Sequence, residues 1–271
     1  MTQLQLPPSI GQNIARAKSL VRRDDPVRAL DALIRALDLF EPESIIGKAR
    51  FEIEVTIQEC LADLNRHPKV RALLDQVTRS HNAMINYKPG EENTLKSVLH
   101  VLRKGLFEVE QEKVRHDQEK QDHRKSLLLQ KASEHLDAGE KPRGKAMLRL
   151  LADEFGSEPG VLLQVGTMLI GAKLHYDAAE FLEAAIEAFP KEGRAYQELV
   201  TCYLELREWE KAESVYRRAI RQFGAHPKTM LNLAKLYMNW NKKEKAFEAA
   251  QHVLRHEPDN AEAKAIIDKV G

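Results

Sequence analysis

Only two cysteines, Cys60 and Cys202, occur in 271 residues, in different halves of the chain and each inside an apolar pattern. So few thiols argue against a disulfide framework, and both read as small buried hydrophobes. Aromatic residues make up only 6%, with 13 glycines and 11 prolines, while Ala, Leu, Glu, Lys and Arg are abundant. That scarcity leaves an all-α profile. Neither sign of charge dominates: 42 basic residues face 41 acidic ones, a net charge of +1. So small an excess gives no long-range pull toward nucleic acid or an anionic membrane. The cluster Arg217, Arg218 and Arg221 reads as a solvated outer face. No apolar run reaches the roughly 18 residues of a membrane span, and MTQLQLPPSI has no basic stretch leading into an apolar one. The expectation is a cytoplasmic protein without a membrane segment.

Signatures of catalysis and metal binding are also missing: no HExxH, CxxC, GxSxG or P-loop pattern occurs. Ten histidines invite a search. His116 and His123 share a helix face, but two turns separate them by roughly 10 Å, too far to chelate one ion, and Lys120 stands where a third ligand would belong. Asp24-Asp25 and Glu91-Glu92 sit at turns or helix starts, where carboxylates satisfy free N–H groups. No enzyme, cofactor or metal site is expected.

What the chain does contain is a repeat. Ala178, Ala212 and Ala246 are spaced by 34 residues, as are Tyr203 and Tyr237, and Leu199 and Leu233. Pro190, Gly224 and Pro258 close the units at the same interval. A period of this size marks a solenoid of stacked helices, whose units are too small to bury their own apolar faces. The clear units are 159–192, 193–226 and 227–260. Residues 125–158 fit a degenerate one, with Ala132 as its small residue, Leu148 and Leu151 in its second helix, Gly144 in place of the crossing alanine and Gly156 in place of the terminal proline. Residues 261–271, with Ala263, Ile266 and Ile267, read as a capping helix.

Upstream, residues 10–42 form a helical hairpin in which Asp24-Asp25 breaks the run, Pro26 opens the second helix and Pro42 follows it. Ile46, Ala49, Ile53, Ile57, Cys60 and Leu64 make one apolar face. His67-Pro68 ends that helix. Val70, Leu73, Leu74 and Val77 mark a shorter helix, and Tyr87-Lys88-Pro89-Gly90 a turn. Leu95, Leu99, Leu102, Leu106 and Val109 make a seam for packing within a local helical domain. From Glu110 to Lys125 apolar residues almost vanish and opposite charges interleave, which reads as a solvated helical connector, with a flexible linker as the alternative. The expected organisation is an N-terminal helical module (1–109), the connector (110–125) and a repeat domain (126–271).

The repeated residues resemble the tetratricopeptide repeat: two antiparallel helices, a small residue at their crossing, bulky residues around it and a terminal helix breaker. The resemblance is clearest over 159–260, and the hairpin 10–42 looks like a divergent copy. It implies a right-handed superhelical solenoid whose first helices line a concave surface. Carried over by residue, Leu129, Leu163, Gln197 and Leu231 form one line. Leu136, Ile170, Leu204 and Met238 form a second, and Ser133, Thr167, Thr201 and Lys235 run between them. Two apolar lines around a largely neutral polar one suit an extended peptide or an amphipathic helix. Repeats that grip a chaperone's acidic C-terminus carry lysine, asparagine and arginine at matching turns. Here those turns hold Leu163, Thr167 and Glu198, with only Lys228 and Asn232 fitting, which argues against that function.

The expected function is therefore a non-catalytic scaffold or adaptor that binds another protein in its groove. The alternatives are an assembly or secretion chaperone holding an apolar client segment and, third, a nucleic-acid-associated regulator. The N-terminal module filling the groove, or self-association through it, are competing uses of the same apolar lines.

Overall fold

The structure, a computed structural model, describes residues 8–40, 45–79 and 83–270. Among the described residues there are thirteen α-helices and no strand. They belong to two compact units, Met1–Lys120 and Gln121–Gly271.

In the first unit, α1 (Pro8–Arg22) and α2 (Pro26–Asp38) form the expected hairpin. Asp24 takes a left-handed conformation, and the N–H of Asp25 donates to the carbonyl of Leu20 across the turn. Asp25 then caps α2, its side chain accepting from the N–H of Arg28, and Pro26 occupies the first turn, where no N–H is needed. Pro42 lies outside the described residues. Helix α3 (Lys48–Arg66) stops at His67, whose extended backbone suits the residue before Pro68 and opens α4 (Pro68–Thr78). The sequence pattern overreaches at three positions. Ile46 precedes α3 and is 69% exposed, because Gly47, with φ 67°, turns the chain before the helix begins. Val77 lies in the last turn of α4 and is 61% exposed, past the buried Leu73 and Leu74. Val109 is likewise exposed, although it continues the seam of Leu95, Leu99, Leu102 and Leu106, which are all buried. Periodicity reports which residues share a face and not how far the neighbouring helix reaches along it.

Helix α5 (Glu92–Asp137) begins after the turn at Gly90. The buried Glu92 carboxylate accepts from the Gly90 N–H and from the Tyr87 hydroxyl. The helix includes residues 110–125. Residues 107–124 are exposed throughout. Burial resumes at Leu128 and Ala132, which belong to the core of the second unit.

That unit continues with α6 (Lys141–Phe155), α7 (Val161–Gly171), α8 (His175–Ala188), α9 (Gly193–Glu205), α10 (Trp209–Phe223), α11 (Pro227–Asn239), α12 (Lys243–His256) and α13 (Ala261–Val270). It is a helical-repeat solenoid in which each helix packs chiefly on its neighbours in the chain. Ala178, Ala212 and Ala246 are fully buried where paired helices cross. At the equivalent place in the degenerate unit, a Cβ on Gly144 would stand 2.6 Å from the Leu136 side chain, so only glycine fits without a shift. The turn joining the two helices of each unit also repeats. Gly139, Lys173, Arg207 and Asn241, again 34 residues apart, are all left-handed. The next residue in each case donates its N–H back to the helix just ended, from Glu140, Leu174, Glu208 and Lys242 to His135, Leu169, Tyr203 and Tyr237. The α1–α2 turn has the same bond. Ala263 and Ile266 of α13 are buried over the end of the array.

Candidate functional site

A cavity of about 710 Å³ opens between α9 and α11. From α9 come Tyr196, Gln197, Val200, Thr201 and Leu204, which recur at three or four residues and so share one side of the helix. From α11 come Lys228, Asn232, Lys235 and Asn239, with Thr229 and Leu236 beside them, for the same reason. Helix α10 closes the floor with Tyr216, Ala219 and Phe223.

The floor is aromatic. Phe223 meets Tyr196 edge to face, with ring centroids 5.5 Å apart and planes at 85°. The Tyr196 hydroxyl is anchored to the Pro190 carbonyl at 3.2 Å. Burial pushes the Tyr216 phenol up to about 12, so it stays protonated and able to donate. The upper walls are polar and neutral: Gln197, Thr201, Asn232 and Asn239 are exposed, and the Thr201 hydroxyl is turned back onto the Gln197 carbonyl. No carboxylate lines the cavity. Its cations are Lys235, which pairs with Glu262 of α13, and Lys228, which is exposed and pairs with no carboxylate among the described residues. The cavity therefore combines apolar depth, neutral hydrogen-bonding walls and a cationic rim.

Of the residues expected to face a ligand, Gln197, Thr201, Leu204 and Lys235 come together here. Leu129, Leu136, Leu163, Ile170 and Met238 do not line the cavity and are half-buried against the core. Ser133 and Thr167 are also away from it; their hydroxyls bond Asp137 and the Leu163 carbonyl within their own helices. Leu231 is a core residue, only 9% exposed, and not a free groove side chain. The cause is register. The repeat resemblance assigns the same positions to every first helix, yet a cavity between α9 and α11 is walled by the side of α9 that looks forward and the side of α11 that looks back. On α11 that side is displaced around the helix, from Leu231 and Met238 to Lys228, Asn232 and Asn239. The aromatic floor falls outside that pattern because it comes from a second helix and from Tyr196, neither of which lies on the three expected lines. The Tyr216 and Phe223 spacing was its only sequence signal.

Electrostatics elsewhere in the unit tie neighbouring repeats. Tyr203 and Tyr237, one repeat apart, donate to Glu183 and Glu213, and lie under Lys211 and Lys245. Burial alone would raise the Glu213 carboxyl, but hydrogen bonds from Tyr237, Lys245 and Arg217 outweigh it and hold it at about 2. Both cysteines are buried, and burial raises each to about 12, so neither is a thiolate near neutral pH. Among the described residues no cluster of three or more metal-ligating side chains occurs, and no helix is long and apolar enough to cross a membrane.

Two family models described as tetratricopeptide repeat match this unit, over residues 169–223 and 227–260. Those residues are tetratricopeptide repeats. The cavity lies wholly within the matched region or at its junction, formed by one complete repeat and the first helix of the next. A tetratricopeptide array of this kind is a protein-interaction scaffold. Among solved structures, a crystal structure of MamA is 17% identical, covering 55% of this chain and 87% of its own at a TM-score of 0.41. YrrB, described as a TPR protein with an unusual peptide-binding site, is 16% identical, covering 53% of this chain and 74% of its own at a TM-score of 0.40. The comparison with curated proteins found no match.

Proposed function

We propose that this protein is a non-catalytic adaptor that holds a partner protein by a short peptide or amphipathic helix seated in the cavity between α9 and α11. The observation that carries this reading is the lining: an aromatic floor open to solvent, neutral polar walls and no carboxylate. A bulky apolar side chain of the partner would fill the space over Tyr196, Tyr216 and Phe223, which is worth about 1.5–3 kcal/mol when fully buried. Backbone groups of the peptide would meet Gln197, Asn232 and Asn239. An acidic residue next to the apolar anchor would lie toward Lys228, so a partner segment of mixed apolar and acidic character fits better than a basic one.

The test uses residues at the lip, which support little of the core. Thr201→Asp with Asn232→Asp places two carboxylates in the walls, at positions that are exposed on α9 and α11. Helix content and melting should stay close to those of the parent. Binding of a panel of synthetic amphipathic peptides, followed by fluorescence anisotropy, should show a preference for acidic members and weaken at least about tenfold in the double variant, the equivalent of about 1.4 kcal/mol. Peptides that bind both proteins equally would place the interaction elsewhere on the molecule.

A further inference from the structure

Helix α12 ends in a pair of histidines, His252 and His256, one turn apart on the same side of the helix. Their rings stack, with centroids 4.8 Å apart and planes at 25°. The Nδ1 of His256 lies 3.1 Å from the His252 carbonyl oxygen. A carbonyl can only accept, so Nδ1 is the donor here, and in the neutral ring that leaves Nε2 with the lone pair that ligates a metal. His252 is half-buried, and its Nδ1 is shut off from solvent with no hydrogen-bond partner, which leaves Nε2 as the atom that can reach an ion.

We propose that His252 and His256 chelate one borderline divalent cation of the Ni²⁺, Zn²⁺ or Cu²⁺ class through their two Nε2 atoms. Imidazole pairs four residues apart on a helix stand one turn, about 5.4 Å, from each other along the axis. To ligate a shared ion at about 2 Å, the two rings would turn out of their stack so that both Nε2 edges face one point. Nitrogen ligands select this class over Ca²⁺ and Mg²⁺, which take oxygen. The place favours a cation twice over: it is the C-terminal turn of α12, where the macrodipole is negative, and Glu257 follows directly. Arg255 works against it, but its side chain is exposed and free to turn away. Glu248 shares the face one turn earlier, but two turns separate it from His256, so it cannot complete a three-residue site with both histidines. The site is therefore bidentate, and the remaining positions on the metal are open to water or to a ligand from a second protein.

Calorimetric titration of the full chain with Ni²⁺ alone should give one site per chain, unchanged by excess Mg²⁺. Loss of an orienting partner alone costs about 10- to 100-fold in metal affinity, so His256→Asn, at an exposed position, should weaken binding at least about tenfold. His252→Asn should do the same, while a His116→Asn, His123→Asn control should bind like the parent. The imidazole ¹⁵N resonances of His252 and His256 should shift together on titration. A parent chain that takes up no Ni²⁺, or a His256→Asn variant that binds as the parent does, overturns the proposal.

Discussion

At Lys173, Arg207 and Asn241 the backbone is left-handed, a conformation that costs an ordinary residue roughly 1–2 kcal/mol. The chain accepts it because each of these turns closes a helix with a return hydrogen bond, and the equivalent turn at Gly139 carries the residue that adopts it freely. Glu213 shows the opposite economy, a buried carboxylate kept charged by three donors. Its proton affinity is depressed on folding, from an ordinary 4.5 to about 2. Its contribution is therefore fully present above about pH 4.5 and lost as pH falls toward 2. A shift of that size corresponds to about 3 kcal/mol. Glu213→Gln should lower the urea midpoint at pH 7, since Lys245 and Arg217 lose their partner. It should also flatten the fall in stability between about pH 4.5 and 2 relative to the parent. An identical acid profile in the two proteins would show that the depressed carboxyl is not Glu213.

Helix α5 carries two packed ends and a bare middle. Leu95, Leu99, Leu102 and Leu106 are buried in the first unit, Leu128 and Ala132 in the second, and residues 107–124 bury nothing. Its exposed pairs, such as Arg115 with Glu112 and Glu119, contribute at most a few tenths of a kcal/mol each. The far end is better held, since Arg124 grips Glu154 with two nitrogens and Lys125 pairs with Glu158. Limited trypsin digestion should consequently cut first at Lys113, Arg115 or Lys120, and later at Arg124 and Lys125, as read by mass spectrometry of early fragments. An initial cut inside 169–260 would mean that the repeats open more readily than this bare helix.

On the scale of the whole molecule, the two units have separate hydrophobic cores, one from Ile10 to Leu106 and one from Leu128 to Ile266. A repeat array needs a cover on each terminal face, and the second unit has both: the end of α5, with Leu128 and Ala132, and α13, with Ala263 and Ile266. A fragment of residues 121–271 should therefore fold alone and melt cooperatively by circular dichroism. Shortening it to end at residue 260 uncovers the face under α13 and should lower its melting midpoint. A 121–271 fragment that is unfolded would show that the second unit depends on the first.

The sequence alone determined the helical class, the repeat period and most of the elements, because these rest on local chemistry: alanine spacing, Asp25-Pro26 at a helix start and proline after His67. It also placed the cysteines, since their surroundings in the apolar pattern are local as well. Which side of each first helix walls the cavity was decided only by tertiary structure. Leu231 and Lys228 belong to one helix, and nothing in their spacing tells which of them the next helix covers. The same holds for Ile46, Val77 and Val109, which keep the apolar rhythm after the packing has stopped. The stacked His252 and His256 show the converse, for their four-residue spacing is in the sequence but their stacking and burial are not. A periodic pattern defines faces, whereas burial depends on where the neighbouring helices end, and that is set by packing between residues far apart in the chain.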